Sequence, residues 1–315
     1  MLDRSVTMAR PRPRWPLAER AARPRRGRAP VMLGALAATA AWLAVVVLAE
    51  PFGRAWGTGQ DARAYWTSSL ADPYRFSSWG EHGAYLYSPA FLQLVSPLTL
   101  LPWQAFVGAW TGLLLLALRA LTGSRWLVLG VAVAAMELAG GNISLLLAGA
   151  IVAGFRWPAA WAFVLLTKVT PGIGLLWFAM RGEWRSLAAA LGATLALVAV
   201  SAVLLPGAWL EWLAVLGSNA DRDGTWAALP VPLWARLPLA IAVVAWGART
   251  DRRWTVPVAA MLALPALWYG SLSMLLAVIA LRGDSPAPTR RQLDRATAVG
   301  GRELGHGAEP SPAVA

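Results

Sequence analysis

Long apolar runs separated by short arginine-bearing turns dominate this chain of 315 residues. The runs cover residues 31–49, 91–118, 126–140, 143–155, 158–168, 172–180, 186–205, 232–248, 254–269 and 271–281. About 20 apolar residues in a helix suffice to cross a hydrocarbon core of roughly 30 Å. The pattern therefore predicts an all-α, polytopic transmembrane helical bundle with about ten membrane segments. Several runs are too short to cross alone, so we expect short, broken helices that are buried in protein or line a wet cavity.

Polar residues divide the chain into three regions. The arginine- and proline-rich stretch 1–30 and the Pro, Gly, Arg and Ala-rich stretch 283–315 are typical of disordered tails. Between them lies a predicted transmembrane domain, 31–282. Two longer polar stretches interrupt it, at 50–90 and 206–230, and we expect both to be extracytoplasmic loops.

The arginines predict the orientation of the segments. If the N-terminus is cytoplasmic and the breaks near residues 141 and 170 are hairpin tips, 22 of the 27 arginines fall on the cytoplasmic side. This matches the excess of basic residues in cytoplasmic loops, so we expect a multi-pass protein of the cell membrane with both termini cytoplasmic. The alternative is one long span over 157–180, which would move Arg181 and Arg185 to the outside.

Composition excludes several classes of function. Hydrophobic residues make up 57% of the chain and charged residues 14%, with a mean hydropathy of +0.52, against about 25% charged residues in a soluble domain. The absence of cysteine excludes disulfides and thiol catalysis, and two histidines are too few for a histidine-rich metal centre. The net charge of +12 is concentrated in tails and short loops, so the basic residues indicate membrane lipids as partners and no nucleic acid.

Lys168 is the only lysine, and it lies in an apolar stretch that runs from Trp161 to Met180. A cation at membrane depth costs roughly 2.5–3.5 kcal/mol or more unless it has a partner. An anion that binds and leaves, such as a lipid phosphate, would be a fitting partner. The alternative is a lysine that snorkels to the membrane interface.

The predicted topology brings Asp61, Asn142 and Lys168 to the extracytoplasmic face. A carboxylate can accept the proton of an attacking hydroxyl, and a cation can stabilise a departing phosphate. The residues therefore allow a glycosyl transfer with Asp61 as base. Three alternatives stay open: Asp61 is an ordinary loop acid, Asn142 only satisfies backbone groups at a helix break, and Glu137 is a paired or interfacial carboxylate.

A series of short motifs adds to this hypothesis. It comprises Asp61-Ala62-Arg63-Ala64-Tyr65, Asp72-Pro73-Tyr74, Tyr85-Leu86-Tyr87-Ser88-Pro89, Ser96-Pro97, Leu101-Pro102-Trp103, Gly141-Asn142-Ile143-Ser144, Lys168-Val169-Thr170-Pro171 and Arg181-Gly182-Glu183-Trp184-Arg185. In order and spacing, over about 31–281, the series resembles glycosyltransferase family 87. The resemblance implies a GT-C fold and an actinobacterial α-mannosyltransferase that uses polyprenyl-phosphate-mannose and a glycolipid or glycan acceptor. The sequence contains no cluster of metal ligands, and we expect no cofactor besides the lipid-linked sugar donor.

The resemblance also implies roles for individual residues. Asp61 matches the acidic residue after the first span, the family's general base, and Lys168 matches the Lys-x-x-Pro element, expected at the donor phosphate. The predicted sugar and donor contacts are Arg63, Tyr65, Tyr87, Asn142 and Ser144. As alternatives, Arg63 pairs with Asp61 at the surface, and the loop tyrosines belong to an aromatic membrane belt.

One departure from the family pattern keeps other functions open. The family often has Trp followed by His near the C-terminus, whereas this chain has Trp268-Tyr269-Gly270. The altered motif fits a changed acceptor or a catalytically silent paralogue. Discontinuous helices around a charged residue are also typical of a lipid-linked sugar transporter or flippase.

Overall fold

The fold is entirely helical in the part of the chain that the computed structural model describes, residues 28–49, 57–78, 81, 83–219 and 230–283. The α-helices are α1 Arg28–Leu48, α2 Gln60–Thr67, α3 Pro89–Thr99, α4 Trp103–Thr122, α5 Leu127–Val133, α6 Ala135–Gly140, α7 Ser144–Gly154, α8 Trp161–Thr167, α9 Leu176–Met180, α10 Trp184–Leu204, α11 Pro206–Asn219, α12 Leu233–Thr250, α13 Thr255–Leu262 and α14 Ala277–Gly283. Short 3₁₀ helices lie at Pro158–Ala160, Thr170–Leu175 and Gly270–Leu276. The all-α prediction is confirmed; apart from residues 28–30 and 283, the two predicted tails lie outside the described residues.

Three of these helices are long and apolar enough to cross a membrane: Ala29–Leu48, Trp103–Thr122 and Trp184–Leu204. In the most apolar 18-residue stretch of each helix, only 11% of the first and third helices is buried, against 50% of the second. Thus α4 lies at the centre of the bundle, and α1 and α10 expose most of their apolar side chains. Exposed apolar surface of this extent is stable in lipid, so the chain is a membrane protein.

The predicted span 91–118 is two helices instead of one. It is divided at residues 100–102 into α3 and α4. Pro102 is the cause, because a proline disfavours helical geometry in the residue before it. The carbonyl oxygen of Leu101, released from helical bonding, accepts a hydrogen bond from the Trp66 indole at 2.9 Å.

The chain reverses direction at Lys168, as the hairpin prediction requires. In a continuous helix Trp161 and Phe178, which are 17 positions apart, would be separated by about 25 Å, yet their ring centroids are 6.4 Å apart. Gly174 permits this approach, since a Cβ there would lie 2.3 Å from the Trp161 ring. Residues 157–180 therefore do not form one continuous helix, and the chain reverses at the expected break; that this reversal faces outward stays a prediction.

The second predicted loop, 206–230, is partly helical. Its first 14 residues form α11, and Trp212 donates a hydrogen bond to the carbonyl oxygen of Leu86 at 3.1 Å. Residues 220–229 lie outside the described part of the chain. The bond ties α11 to the end of the first loop, close to Tyr87.

A third chain reversal follows α13, after the turn at Gly141-Asn142 between α6 and α7 and the one at Lys168. The predicted run 254–269 ends as a helix at Leu262, because Pro265 lies three residues beyond. The buried guanidinium of Arg236 holds this turn by donating to the carbonyl oxygens of Val231, Leu262 and Pro265 at 2.7–3.0 Å. The turn leads directly to Gly270.

Candidate active site

Separate chain reversals bring polar residues to one place beside α2. The amide of Gly59, at the start of α2, donates to the carbonyl oxygen of Ala139 in α6 at 2.7 Å. Gly270, which follows the third reversal, packs against Glu137: a Cβ at Gly270 would lie 3.0 Å from Oε2 of Glu137. The candidate site therefore draws on elements that are more than 200 residues apart in sequence.

Asp61 is held in place by Asn142. The Asn142 Nδ2 donates to Oδ2 of Asp61 at 3.0 Å, while its Oδ1 accepts from the amide of Ile143 at 2.7 Å. Only this amide orientation satisfies both contacts, because a carboxylate accepts and an amide N–H donates. Among the described residues, Oδ1 of Asp61 has no hydrogen-bond partner, so it can accept a proton or a hydroxyl.

Gly141 sets the turn that carries Asn142. Its φ is +74°, in the left-handed region that side-chain-bearing residues rarely adopt. A Cβ there would also lie 2.7 Å from the Cβ of Ala62, the neighbour of Asp61. Its carbonyl oxygen accepts from the Trp110 indole at 2.7 Å. Gly141 thus lets the turn that carries Asn142 contact α2, and a larger residue at position 141 would push the turn and α2 apart.

Glu137 stabilises the same turn through its side chain. Its side chain is buried, and its carboxylate accepts a hydrogen bond from the amide of Ser144, the first residue of α7. A carboxylate in this position satisfies a free helix amide and interacts favourably with the helix dipole. The Ser144 hydroxyl is buried without a hydrogen-bond partner in the described structure.

Lys168 ends α8 beside these carboxylates. Its backbone is extended, with φ −138° and ψ 111°, and its side chain is half-buried. The ammonium is close enough to interact electrostatically with Asp61 and Glu137. No described residue forms a hydrogen bond or an ion pair with it. The site therefore presents a half-buried cation with no direct partner, as an incoming anion requires.

The surroundings of Asp61 perturb its acidity. Burial raises the pKa of Asp61 above its usual value, and the charge of Lys168 and then the hydrogen bond from Asn142 oppose the rise. Burial removes water from the charged form, whereas the cation and the amide donor stabilise it. A base with a raised pKa binds a transferred proton more strongly than an exposed carboxylate does.

Tyr65 and Tyr87 form an aromatic wall next to Asp61. Their hydroxyl oxygens are 3.1 Å apart, and their rings meet edge to face at 5.4 Å. The Tyr65 ring is 1% exposed and packs against Phe91 and Trp110, whereas Tyr87 is half-buried. Of the two predicted sugar contacts, Tyr87 is therefore the accessible one, and Tyr65 reaches the site through Tyr87.

Ser88 is a site-supporting residue that the sequence analysis did not identify. Its hydroxyl donates to the carbonyl oxygen of Leu166 and accepts from the amide of Phe91 at 3.3 Å. It thereby caps α3 and fastens it to the end of α8, two residues before Lys168. The Ser-Pro pair is typical of a helix N-cap, but the contact with Leu166 depends on the tertiary fold.

Arg63 lies away from this cluster. It is two residues after Asp61 on α2, and such residues do not share a helix face. A Cβ at Gly83 would lie 3.9 Å from its Nε, so the side chain extends toward the loop that follows α2. Sugar or donor binding by Arg63 stays a prediction, as do the roles predicted for the other site residues.

No cluster in the described chain has the composition of a metal site. Groups of three or more His, Cys, Asp or Glu side chains that could hold an ion do not occur there. The residues that meet at the site are two carboxylates, one ammonium, an amide and hydroxyls, and these groups suit proton transfer and anion binding.

The family model for glycosyltransferase family 87 matches residues 85–291. The match covers more than half of the chain, which therefore belongs to this family and is a membrane glycosyltransferase. Tyr87, Asn142, Ser144 and Lys168 lie inside the matched range, and Asp61 lies before it. No curated protein and no solved structure matches the chain.

Proposed function

We propose that this membrane glycosyltransferase moves mannose from polyprenyl-phosphate-mannose to a hydroxyl group of an extracytoplasmic glycolipid or glycan, with inversion at the anomeric carbon. One observation carries the proposal: Asn142 holds one oxygen of Asp61, while the other oxygen and the nearby Lys168 ammonium have no direct partner in the described structure. This arrangement provides a base and an anion site side by side.

The reaction follows from these groups. The acceptor hydroxyl gives its proton to Oδ1 of Asp61 as its oxygen forms a bond with the anomeric carbon. The bond between that carbon and the donor phosphate oxygen breaks, and its electron pair leaves with the lipid phosphate. Lys168 stabilises the charge that develops on this phosphate. One displacement needs one carboxylate base and inverts the configuration; a retaining reaction would need a second carboxylate as nucleophile.

The membrane setting favours a lipid-borne donor. All regular secondary structure in the described chain is helical, and no Gly-rich phosphate loop of the kind that opens a nucleotide-binding α/β unit occurs there. Lys168 lies at the end of the short apolar helix α8 and Asp61 in the first turn of α2, where the head group of a lipid donor would meet both. The half-buried ring of Tyr87 would offer an apolar face to the sugar, and Asn142 would supply a polar contact. Ser144 is buried, so its part would be to support the turn that carries Asn142.

The site is proposed to lie on the extracytoplasmic side. Arg119 lies in the last turn of α4, and Arg156 and Arg181 follow α7 and α9, the helices that lead away from the site; arginine is enriched in cytoplasmic loops. With these residues in the cytoplasm, the reversals at Gly141 and Lys168 face outward. Acceptors assembled on the outer leaflet would then reach Asp61.

The test uses the full-length protein in liposomes with labelled polyprenyl-phosphate-mannose and an extract of acceptor lipids. Wild type is compared with Asp61→Asn and Lys168→Gln. Asp72→Asn removes an exposed carboxylate from the same loop, and Arg156→Gln removes a cation that lies against Trp157. These are the matched controls.

Labelled glycolipid is expected from wild type and both controls. Each site variant should lose about 100-fold or more of the rate, because it removes the base or the leaving-group cation. Full activity of both site variants would refute the assigned roles. Transfer of label between leaflets without a glycosidic product would indicate a transporter, and no reaction with any donor would indicate a silent paralogue.

A further inference from the structure

We propose that Glu137 is a positioning residue, which fixes the turn at 141–144 and through Asn142 sets the direction of the Asp61 carboxylate. The inference deepens the proposed function, on which its kinetic consequences rest. It begins from a buried carboxylate to which the reaction above assigns no step.

Glu137 holds both ends of the turn. Its carbonyl oxygen accepts from the amides of Gly141 and Asn142 at 2.9 and 3.3 Å, and its carboxylate accepts from the amide of Ser144. One residue thus bonds three of the four amides between 141 and 144, and the fourth, Ile143, bonds the Asn142 side chain. All four amides point at fixed acceptors, so the turn has little freedom to rearrange.

Through Asn142, the turn fixes the orientation of the Asp61 carboxylate. The Asn142 side chain is held at its oxygen by Ile143 and at its nitrogen by Asp61. If the turn relaxed, Nδ2 of Asn142 would lose its 3.0 Å contact with the carboxylate. The uncommitted oxygen of Asp61 would then no longer have a defined direction, and a displacement of about 1 Å can cost a reaction about 100-fold.

Glu137 also lies between two other parts of the site. Its Oε2 packs against Gly270 of the third reversal, and its charge acts on Lys168. A buried carboxylate whose oxygen already receives a helix amide does not need a direct ion pair with Lys168. The Lys168 ammonium is therefore available to bind an anion, and the charges of both Glu137 and Asp61 attract it to the site.

Three variants of the full-length protein separate positioning from charge. Glu137→Ala removes the side-chain acceptor of the Ser144 amide together with its charge, and the backbone carbonyl remains. Glu137→Gln keeps an acceptor oxygen on the side chain without the charge. Glu183→Gln makes the same change in a carboxylate paired with Arg181. The first readout is hydrogen exchange of peptides that cover 138–147, which does not depend on activity. The second is kcat and donor KM for mannose transfer.

Glu137→Ala is expected to speed exchange at the start of α7 and to lower kcat about 10- to 100-fold, with a smaller change in donor KM. Glu137→Gln should keep slow exchange and most of kcat, and Glu183→Gln should match wild type. Equal losses in Glu137→Ala and Glu137→Gln would overturn positioning in favour of a charge effect. Unchanged exchange in Glu137→Ala would overturn it outright.

A double-mutant cycle tests the route through Asn142. Combined with Asn142→Ala, Glu137→Ala should cost no more than the larger single loss, because both act on one contact. Losses that multiply would show that Glu137 acts on its own. If wild type fails to use the mannosyl donor, the proposed function fails, yet the exchange experiment still decides whether Glu137 fixes the turn.

Discussion

Replacing Asn142 by alanine should shift the pH dependence of the reaction. The Asn142 amide donates at 3.0 Å to Asp61, whose pKa burial already raises. Loss of the donor removes stabilisation from the ionised form alone, so the pKa rises further. A hydrogen bond to a charged group contributes about 1.5–3 kcal/mol, and one pKa unit corresponds to 1.36 kcal/mol, which gives a shift of about 1–2 units. Because the Asp61 side chain is half-buried, we expect the lower end, about one unit.

The sign follows from the role of the group. A general base acts when it is deprotonated, so activity falls as the pH drops through the pKa of Asp61. The variant should therefore lose activity at a higher pH than wild type. The ratio of wild-type to variant activity should be about tenfold larger below both pKa values than at alkaline pH, where only the loss of carboxylate positioning remains.

The assay is kcat/KM for mannose transfer across the acidic limb of the pH profile, measured with the protein in liposomes. Asn219→Ala is the control, because Asn219 donates to the carbonyl oxygens of Ser77 and Val215; its acidic limb should not move. An Asn142→Ala profile that is scaled down at every pH, with its limb in the wild-type position, would falsify the electrostatic argument.

Three further changes test the packing around the site. Gly141→Ala should lower the melting temperature in detergent and abolish transfer, because the positive φ of Gly141 costs a residue with a side chain about 1–2 kcal/mol and the added Cβ would also clash with Ala62 of α2. Gly192→Ala is the control, since there is open space around Gly192, and it should change neither property. Equal behaviour of the two variants would contradict the clash. Arg236→Gln should destabilise the protein by about 1.5–3 kcal/mol for each hydrogen bond from the charged guanidinium that it loses, and an unchanged melting temperature would show that the third turn holds without it. Tyr65→Phe should cost about 0.5–1.5 kcal/mol of stability by removing the bond to Tyr87, with donor KM little changed; a large rise in KM would instead place Tyr65 in contact with the sugar.

Much of the fold follows from local chemistry that the sequence displays. Apolar runs predict helices, and the Gly-Asn pair at 141–142 and the Lys-x-x-Pro element at 168–171 interrupt them at the residues where the structure has its turns. The division at residues 100–102 was missed, although Pro102 marks it. The apolar run on both sides concealed it, because hydropathy alone does not distinguish one long helix from two shorter ones.

Composition and local backbone preference are enough to predict the class of the molecule, because they act within a few residues: an all-α membrane protein with broken helices, a carboxylate after the first span and one lysine at a break between helices. Which polar groups meet depends on long-range packing and is visible in the folded chain alone. Asp61 and Asn142 bond across 81 positions, Gly270 lies on Glu137, and Arg63 extends to another side of α2. These contacts depend on how closely helices approach, which small residues such as Gly141 allow and which no local pattern reveals.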